Sequence, residues 1–194
     1  MLYVSRETRE KLNRYVELLL KWNSTINLIS KTDERVIWCR HIADCHRLCS
    51  YIPAEPYSIC DMGSGGGLPG VVVALSRPDL HVNMIESDRR KAVFLSTVCQ
   101  DVGISATVLN ARIEDVAPIQ ADIVIARALA PLHRLFALGI QHAKPSSKYL
   151  FLKGKNADYE IEHARAEWDF SLIKHESKNG AGSMILELGN VRHA

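Results

Sequence analysis

The chain has 194 residues, 47% of them hydrophobic, with a formal net charge of +2 and a pI near 8.3. This length fits one domain with an appended segment, and the small charge does not by itself indicate nucleic-acid binding. Five cysteines without a C-x-x-C pair argue against a zinc ribbon or a disulfide framework and favour reduced thiols in a cytoplasmic protein. Charges appear by Arg6 and no apolar run approaches about 18 residues, so neither a signal peptide nor a membrane span is predicted.

Two amphipathic helices are predicted at the start of the chain, and they form a helical extension over residues 1–53. The first covers residues 5–22, where apolar side chains recur at helical spacing after Ser5, a suitable N-cap. The second is capped by residue 32 or 33 and ends at Pro53.

His41 and Asp44 lie on the inward-facing stripe of the second helix, among apolar residues spaced by three and four. Buried polar groups of this kind are most often hydrogen-bonded structural pairs. A functional role is the alternative that the spacing leaves open.

The remaining residues, 54–194, are predicted to form the main domain, which is organised around Ile59 to Gly70, Ile-Cys-Asp-Met-Gly-Ser-Gly-Gly-Gly-Leu-Pro-Gly. An apolar strand ends at Asp61, a glycine cluster follows, and a helix begins after it. Because glycine has no Cβ, Gly65 and Gly67 are expected to present bare backbone to a ligand at a helix N-terminus. This order predicts a site for a nucleotide-like ligand, and a flexible linker is the alternative.

The chemistry of that ligand is indicated by the acidic residues around the turn. Gly65, Gly67 and Gly70 formally satisfy the G-x-G-x-x-G dinucleotide fingerprint, with Glu86 about 20 residues further on. Asp61 argues against NAD, because a carboxylate repels a pyrophosphate but attracts an ammonium or a sulfonium. S-adenosylmethionine carries both cations. Glu86, at the end of the next strand, is predicted to accept hydrogen bonds from the two hydroxyls of its ribose.

Strands and helices alternate through the main domain. After the first strand, further strands are predicted at residues 81–85, 106–109, 121–126 and 148–152, with helices at 88–103, 131–141 and 158–168. Two last strands at 170–175 and 184–188 are joined by a loop over 177–183. The order indicates an α/β fold with a mostly parallel doubly wound sheet and a C-terminal antiparallel hairpin.

Ligands of doubly wound sheets bind beyond the carboxyl ends of the strands. The residues at these predicted ends are charged or glycine: Asp61 with the glycines, Glu86, the turn from Arg112 to Glu114, Arg127 and Lys153. Arg89 and Arg90 begin the helix after the second strand, where basic residues oppose the helix dipole. They are either a solvated face or part of a basic edge that meets phosphates.

Several sequence blocks resemble those of the RsmG (GidB) family of bacterial 16S ribosomal RNA guanine-N7 methyltransferases. The blocks are Asp61 to Gly70, Arg40-His-Ile-Ala-Asp44, Ala111-Arg-Ile-Glu-Asp115, Ala126-Arg-Ala128 and Leu152-Lys-Gly154. The likeness spans nearly the whole chain. It implies a Rossmann-like methyltransferase fold behind the helical extension, and transfer of the S-adenosylmethionine methyl group to guanine N7 in the 530 loop of 16S rRNA.

The resemblance also implies roles for individual residues of the cofactor site. Gly63 and Leu68 would contact the cofactor in the glycine turn. Ile113 and Glu114 would border its adenine, and Arg127 would lie at the junction of cofactor and substrate.

On the RNA or catalytic side, the matching positions are His41, Asp44 and Arg112. Arg127 and Lys153 are predicted to hold an RNA phosphate or a base edge, and Asp44 is the candidate for stabilising the cationic product. Because guanine N7 has a lone pair and no hydrogen, methylation there requires alignment and no general base. No metal cluster or nucleophilic side chain is expected.

Two other classes of function stay open from the sequence. One is an NAD-linked oxidoreductase that uses the glycine fingerprint, and the other is a non-catalytic ribosomal RNA-binding protein. For the methyltransferase, the expected partner is 16S rRNA or the small ribosomal subunit. No membrane or metal is expected to take part, and the enzyme is predicted to be a cytoplasmic monomer.

Overall fold

The computed structural model describes residues 4–55, 57–176 and 182–194. In this part of the chain, seven strands form one sheet: β1 (Ser58–Met62), β2 (His81–Ile85), β3 (Ala106–Leu109), β4 (Ala121–Arg127), β5 (Ala143–Lys153), β6 (Trp168–Glu176) and β7 (Met184–His193). The α-helices are α1 (Arg6–Asn23), α2 (Ala43–Arg47), α3 (Gly70–Ser76), α4 (Arg89–Val102), α5 (Leu132–Gly139) and α6 (Ala157–Ala164). None of the described helices is both long and apolar enough to cross a membrane.

The strand order is β3-β2-β1-β4-β5-β7-β6. Strands β1 to β5 are parallel, and β7 pairs antiparallel with both β5 and β6. Strands β2 and β3 lie on one side of β1, and β4 and the later strands lie on the other. The chain therefore changes direction between β1 and β4, and a crevice opens at the carboxyl ends of these two strands. The predicted doubly wound sheet with a terminal hairpin is confirmed, while residues 177–181 of the predicted hairpin loop lie outside the described residues.

Both faces of the sheet are covered, which explains why β4 is buried along most of its length. One hydrophobic cluster joins the sheet to α1, α3 and α4, with Leu19, Val72 and Leu95 among its buried members. The other joins it to α5 and α6 and contains Phe136 and Trp168. The N-terminal extension therefore shares its core with the sheet.

The prediction of one continuous helix from residue 32 or 33 to Pro53 is wrong. The segment consists of a 3-10 turn (Glu34–Val36), a π-helical stretch (Ile37–Ile42), α2 and a second 3-10 turn (Leu48–Tyr51). Apolar spacing indicates which side of a segment is buried, but it does not determine which backbone hydrogen bond closes each turn.

The predicted end of the last helix is also wrong. The helix α6 ends at Ala164, and Trp168 begins β6, where its side chain is only 1% exposed. Burial of this large ring against Phe136, with centroids 5.6 Å apart, stabilises the strand in place of a further helical turn.

Candidate active site

The turn between β1 and α3 is a cradle of bare backbone. Gly63, Gly65 and Gly67 have positive φ angles of 65°, 55° and 86°, a region that residues with a Cβ rarely adopt. A Cβ built on Gly65 would have no neighbour closer than 3.8 Å, so this residue faces open space. That space is a cavity of about 680 Å³, which we call the turn cavity. The turn cavity therefore gives a ligand room to lie directly on the main chain.

Helix α1 supports this turn from the side away from the cavity. Tyr15 is fully buried, and its hydroxyl donates a hydrogen bond to the carbonyl oxygen of Gly66 at 2.6 Å. Burial raises the pKa of Tyr15, so the phenol keeps the proton that it donates. A Cβ on Gly66 would lie 3.2 Å from Leu19, which shows how closely the helix packs on the turn.

Asp61 lies beneath the turn. Its side chain is fully buried, and Oδ2 accepts a hydrogen bond from the Gly70 amide at 3.1 Å. Its other oxygen, Oδ1, has no hydrogen-bond partner among the described residues. Burial raises the pKa of the carboxyl group to about 7. Asp61 does not line the turn cavity. The predicted attraction between its carboxylate and a cationic ligand would therefore have to act through the buried Oδ1.

Glu86 connects the end of β2 to the turn. Its carboxylate accepts hydrogen bonds from the amides of Gly65 at 2.8 Å and Asp88 at 2.7 Å, and it lines the turn cavity. Each carboxylate oxygen can accept more than one hydrogen bond, so capacity for ligand hydroxyls is left. These contacts fix the carboxylate beside the bare backbone.

Most of the other predicted cofactor residues line the same cavity. They are Gly63, Leu68, Ile113, Glu114 and Arg127. The carbonyl of Ile113 is held by the side chains of Gln141 and His142, both at 2.9 Å, which fixes this end of the cavity. Gly67 contributes its positive φ to the turn and, like Asp61, does not line the cavity.

A second cavity of about 600 Å³ adjoins the first, and we call it the outer cavity. Arg40, Arg127 and residues 128–130 line both cavities, whereas Asp44 and Lys153 line only the outer one. The backbone that separates the cavities includes Ala128, which has a φ of 52°. A positive φ in a residue with a Cβ is uncommon and often occurs at functional sites.

His41 and Asp44 do not form a pair with each other. Nδ1 of His41 accepts a short hydrogen bond from the guanidinium of Arg127, and Nε2 lies 3.3 Å from Oδ1 of Asp33. The carboxylate of Asp44 is instead 3.7 Å from Arg47. Burial and the positive charge of Arg127 lower the pKa of His41, so the ring is neutral at pH 7.

Asp33 and Arg40 are site residues that sequence reasoning missed. Asp33 was expected only as a possible helix cap, yet its side chain does not cap the helical turn that follows and lines the turn cavity instead. Arg40 lines both cavities, and its place as the first residue of the Arg40 to Asp44 block was the available signal. Nothing local in the sequence indicates that Asp33 faces His41.

The predicted RNA-binding cations have different environments. Arg89, Arg90 and Arg112 are exposed. Lys153 is buried, and its ammonium donates hydrogen bonds to the carbonyl of Ala130 at 2.6 Å and to Glu160 at 2.7 Å. The expected phosphate contact of Lys153 would have to compete with this internal ion pair.

Neither a cluster of metal-ligating side chains nor a disulfide is present among the described residues. Within residues 4–55, 57–176 and 182–194, no cluster of three or more His, Cys, Asp or Glu side chains could hold a metal ion. The five cysteines are free thiols.

The family model for rRNA small subunit methyltransferase G, GidB, matches residues 8–187. The chain belongs to this family. A protein of Paracoccus denitrificans named ribosomal RNA small subunit methyltransferase G is 44% identical over 192 residues, which cover 98% of this chain and 99% of the relative. A protein of the same name from Cereibacter sphaeroides is 41% identical over 98% of this chain and 94% of its own length. The resemblance drawn from the sequence blocks is confirmed.

Solved structures show the fold of this rRNA small subunit methyltransferase G family member. The structure of M. jannaschii TYW2 in complex with AdoMet has a TM-score of 0.57 and 16% identity, over 81% of this chain and 78% of that chain. A SAM-dependent methyltransferase from Aquifex aeolicus has a TM-score of 0.58 and 12% identity, over 75% of this chain and 89% of that chain. The predicted Rossmann-like methyltransferase fold is confirmed.

Proposed function

We propose that this member of the rRNA small subunit methyltransferase G family transfers the methyl group of S-adenosylmethionine to guanine N7 in the 530 loop of 16S rRNA. The observation that carries the proposal is the pair of adjoining cavities with Arg127 in the wall of both. One cavity rests on bare backbone, as a cofactor site requires, and the other provides room for a target base beside it. The family match favours this activity over an NAD-linked oxidoreductase or a non-catalytic RNA-binding protein.

The turn cavity suits S-adenosylmethionine in size and in polar groups. Its volume of about 680 Å³ lies within the range of about 300–1,000 Å³ that small-molecule sites occupy. Gly65 leaves its backbone open to the ligand, and Glu86 supplies carboxylate oxygens for the ribose hydroxyls. Ile113 and Glu114 also line this cavity and would border the adenine. When bound, S-adenosylmethionine supplies an electrophilic methyl group.

The outer cavity would receive the target guanine. Arg127 is placed to donate hydrogen bonds to guanine O6 or to an adjacent phosphate, which orients the base toward the turn cavity. Guanine N7 has a free lone pair, so its attack on the methyl carbon forms the N–C bond while the S–C bond breaks, and no proton leaves the base. Alignment of the two ligands is then the main contribution of the protein.

The product guanine carries a positive charge that the site must stabilise. Asp44 is buried and lines the outer cavity, so its carboxylate is the candidate for this role. Its ion pair with Arg47 is long, with 3.7 Å between the guanidinium nitrogen and Oδ1, so Arg47 does not directly hydrogen-bond the carboxylate. We further infer that the enzyme acts as a cytoplasmic monomer on 16S rRNA or the small ribosomal subunit, without a metal.

Cofactor binding to the turn is tested by calorimetry with a matched pair of variants. Gly65 and Gly103 have similar φ angles of 55° and 62°, and a Cβ on either would meet no close neighbour, but only Gly65 faces the cavity. Both Gly65→Ala and Gly103→Ala therefore strain the backbone alike. We expect S-adenosylmethionine to bind the wild type and Gly103→Ala, and to bind Gly65→Ala at least about 10-fold more weakly. Equal affinities for the two variants would contradict binding on this turn.

The reaction is tested by mapping methylated guanines in small-subunit RNA from cells with and without the gene. We expect one N7-methylguanine in the 530 loop that disappears with the gene and returns when the wild-type gene is restored. Methylation at that position in both strains, or at another position only, would overturn the proposed substrate.

A further inference from the structure

Three side chains form a line from the surface loop to the boundary between the cavities. Arg127 donates to Nδ1 of His41, and Nε2 of the same ring lies 3.3 Å from the carboxylate of Asp33. His41 is buried, with 7% of its side chain exposed, and Asp33 is 21% exposed. Asp33 lines the turn cavity beside His41. Residues 33 and 127 are thus connected through one imidazole.

The chemistry of the donors determines the state of this imidazole. A guanidinium has only N–H donors, so Nδ1 of His41 has to be the acceptor and carries no proton. The proton of the neutral ring is then on Nε2, which forms no hydrogen bond among the described residues and has Oδ1 of Asp33 as a close neighbour at 3.3 Å, without full hydrogen-bond geometry. A carboxylate opposite Nε2 stabilises this tautomer. The opposite tautomer would turn an N–H toward the guanidinium and repel it.

We infer that Asp33 is a positioning residue, which acts together with Arg127 to stabilise the Nε2–H tautomer of His41 and so holds the guanidinium of Arg127 at the boundary between the turn cavity and the outer cavity. The consequence for turnover rests on the proposed methyl transfer, because Arg127 orients the base only if that reaction occurs. Displacement of the guanidinium would misalign the base without removing either cavity.

The other contacts of Asp33 provide a matched control. Its Oδ2 accepts a hydrogen bond from Ser30 Oγ at 2.7 Å, whereas Oδ1 faces His41 and also accepts a hydrogen bond from the guanidinium of Arg40 at 3.3 Å. Ser30→Ala therefore weakens the loop without removing the group opposite Nε2. Asp33→Asn keeps an oxygen that can accept from Nε2, and Asp33→Ala removes it. A purely structural role in the loop predicts similar effects of Ser30→Ala and Asp33→Ala.

The first measurement is the tautomer of His41, read from the 15N chemical shifts of its ring nitrogens and assigned with His41→Gln. We expect the proton on Nε2 in the wild type, in Ser30→Ala and in Asp33→Asn. In Asp33→Ala we expect a mixture of tautomers. An unchanged tautomer in Asp33→Ala would overturn the inference, whatever reaction the enzyme catalyses.

The second measurement is methyl transfer to RNA. We expect Asp33→Ala to lower kcat by about 10- to 100-fold with little change in KM, because misalignment of a bound substrate affects the transition state more than binding. Ser30→Ala should remain near the wild type, and Asp33→Asn should restore most of kcat. With Arg127→Lys as the background, Asp33→Ala should have no further effect, and additive losses would overturn the inference. A wild type without methyl transfer would instead reject the proposed function, and the NMR result would still decide the role of Asp33.

Discussion

Asp61 is a carboxyl group whose energetics follow from its place beneath the glycine turn. Gly70 allows the close approach, because a Cβ there would lie 2.4 Å from Oδ2 of Asp61. The Gly70 amide and the nearby Ser64 hydroxyl do not compensate for the loss of hydration, so the charged form is disfavoured and the pKa rises to about 7. A cation placed beside Oδ1 would favour the charged form and lower this pKa.

The raised pKa of Asp61 predicts a specific dependence of stability on pH. From the ordinary value of 3.8 to about 7, the folded chain holds a proton that the unfolded chain has released, so the free energy of unfolding falls as pH rises. The loss is complete above about pH 7 and is on the order of 4 kcal/mol. Asp61→Asn does not titrate, so we expect it to match the wild type near about pH 4 and to exceed its stability near about pH 8.

Chemical denaturation at these two pH values measures the difference. Asp88→Asn is the control, because Asp88 is a helix cap whose pKa is lowered by the amides of Lys91 and Arg90, so its stabilising effect is lost only as pH falls. Asp88→Asn should leave the decrease in the free energy of unfolding between about pH 4 and about pH 7 unchanged. Parallel pH profiles for the wild type and Asp61→Asn would show that Asp61 does not carry this effect.

Among the elements, α1 has a role that exceeds covering the core. It contributes Leu12, Tyr15 and Leu19 to the buried cluster, and Tyr15 also makes the hydrogen bond to the glycine turn. The helix is capped at its start by Ser5, as the sequence predicts. The conformation of the glycine turn therefore depends on an element about 50 residues earlier in the chain.

This contact predicts that Tyr15→Phe will weaken cofactor binding. The variant keeps the ring but leaves the buried carbonyl of Gly66 without its donor, which should lower the free energy of unfolding by about 1–3 kcal/mol. We expect several-fold weaker affinity for S-adenosylmethionine in calorimetry, because the turn loses a fixed support. Arg14→Ala on the exposed side of α1 removes an ion pair with Asp101 and should leave the affinity unchanged. Equal affinity in Tyr15→Phe and the wild type would limit α1 to a role in packing.

For the whole molecule, charges at the carboxyl edge of the sheet divide into exposed and internal groups. Arg89, Arg90 and Arg112 are exposed to solvent, and Arg90 also pairs with Asp88 at 3.6 Å. Lys153 is paired with Glu160, which also accepts from the amide of Leu132 at 2.9 Å and so joins α5 to α6. The net charge of +2 does not indicate which of these charges are exposed and which are paired inside the protein.

The difference between exposed and internal cations predicts different effects for the removal of Arg112 and of Lys153. Arg112→Ala should weaken RNA binding across sequences and reduce the slope of log affinity against log salt by about 1, because one phosphate contact is lost. Lys153→Ala should instead lower the free energy of unfolding by roughly 3 kcal/mol, because Glu160 loses its partner, with little change in the salt slope. Salt titrations of RNA binding and denaturation curves separate the two. A reduced slope in Lys153→Ala would assign that ammonium to the RNA after all.

Local chemistry was sufficient to predict the order of strands and helices in the main domain, the glycine turn and the edge of the sheet at which the two cavities open. These features depend on side-chain periodicity and on the φ angles that glycine permits, which neighbouring residues decide. The family resemblance is of the same kind, since it rests on short contiguous blocks.

The tertiary structure alone decided which groups meet. Residues 41 and 127 are 86 positions apart, and Asp33 joins them only because a π-helical turn and β4 reach the same crevice. The burial of Asp61 and the internal ion pair of Lys153 likewise depend on the elements packed around them. Hydrogen-bond partners and pKa values are determined by three-dimensional surroundings, and a linear pattern does not contain those surroundings.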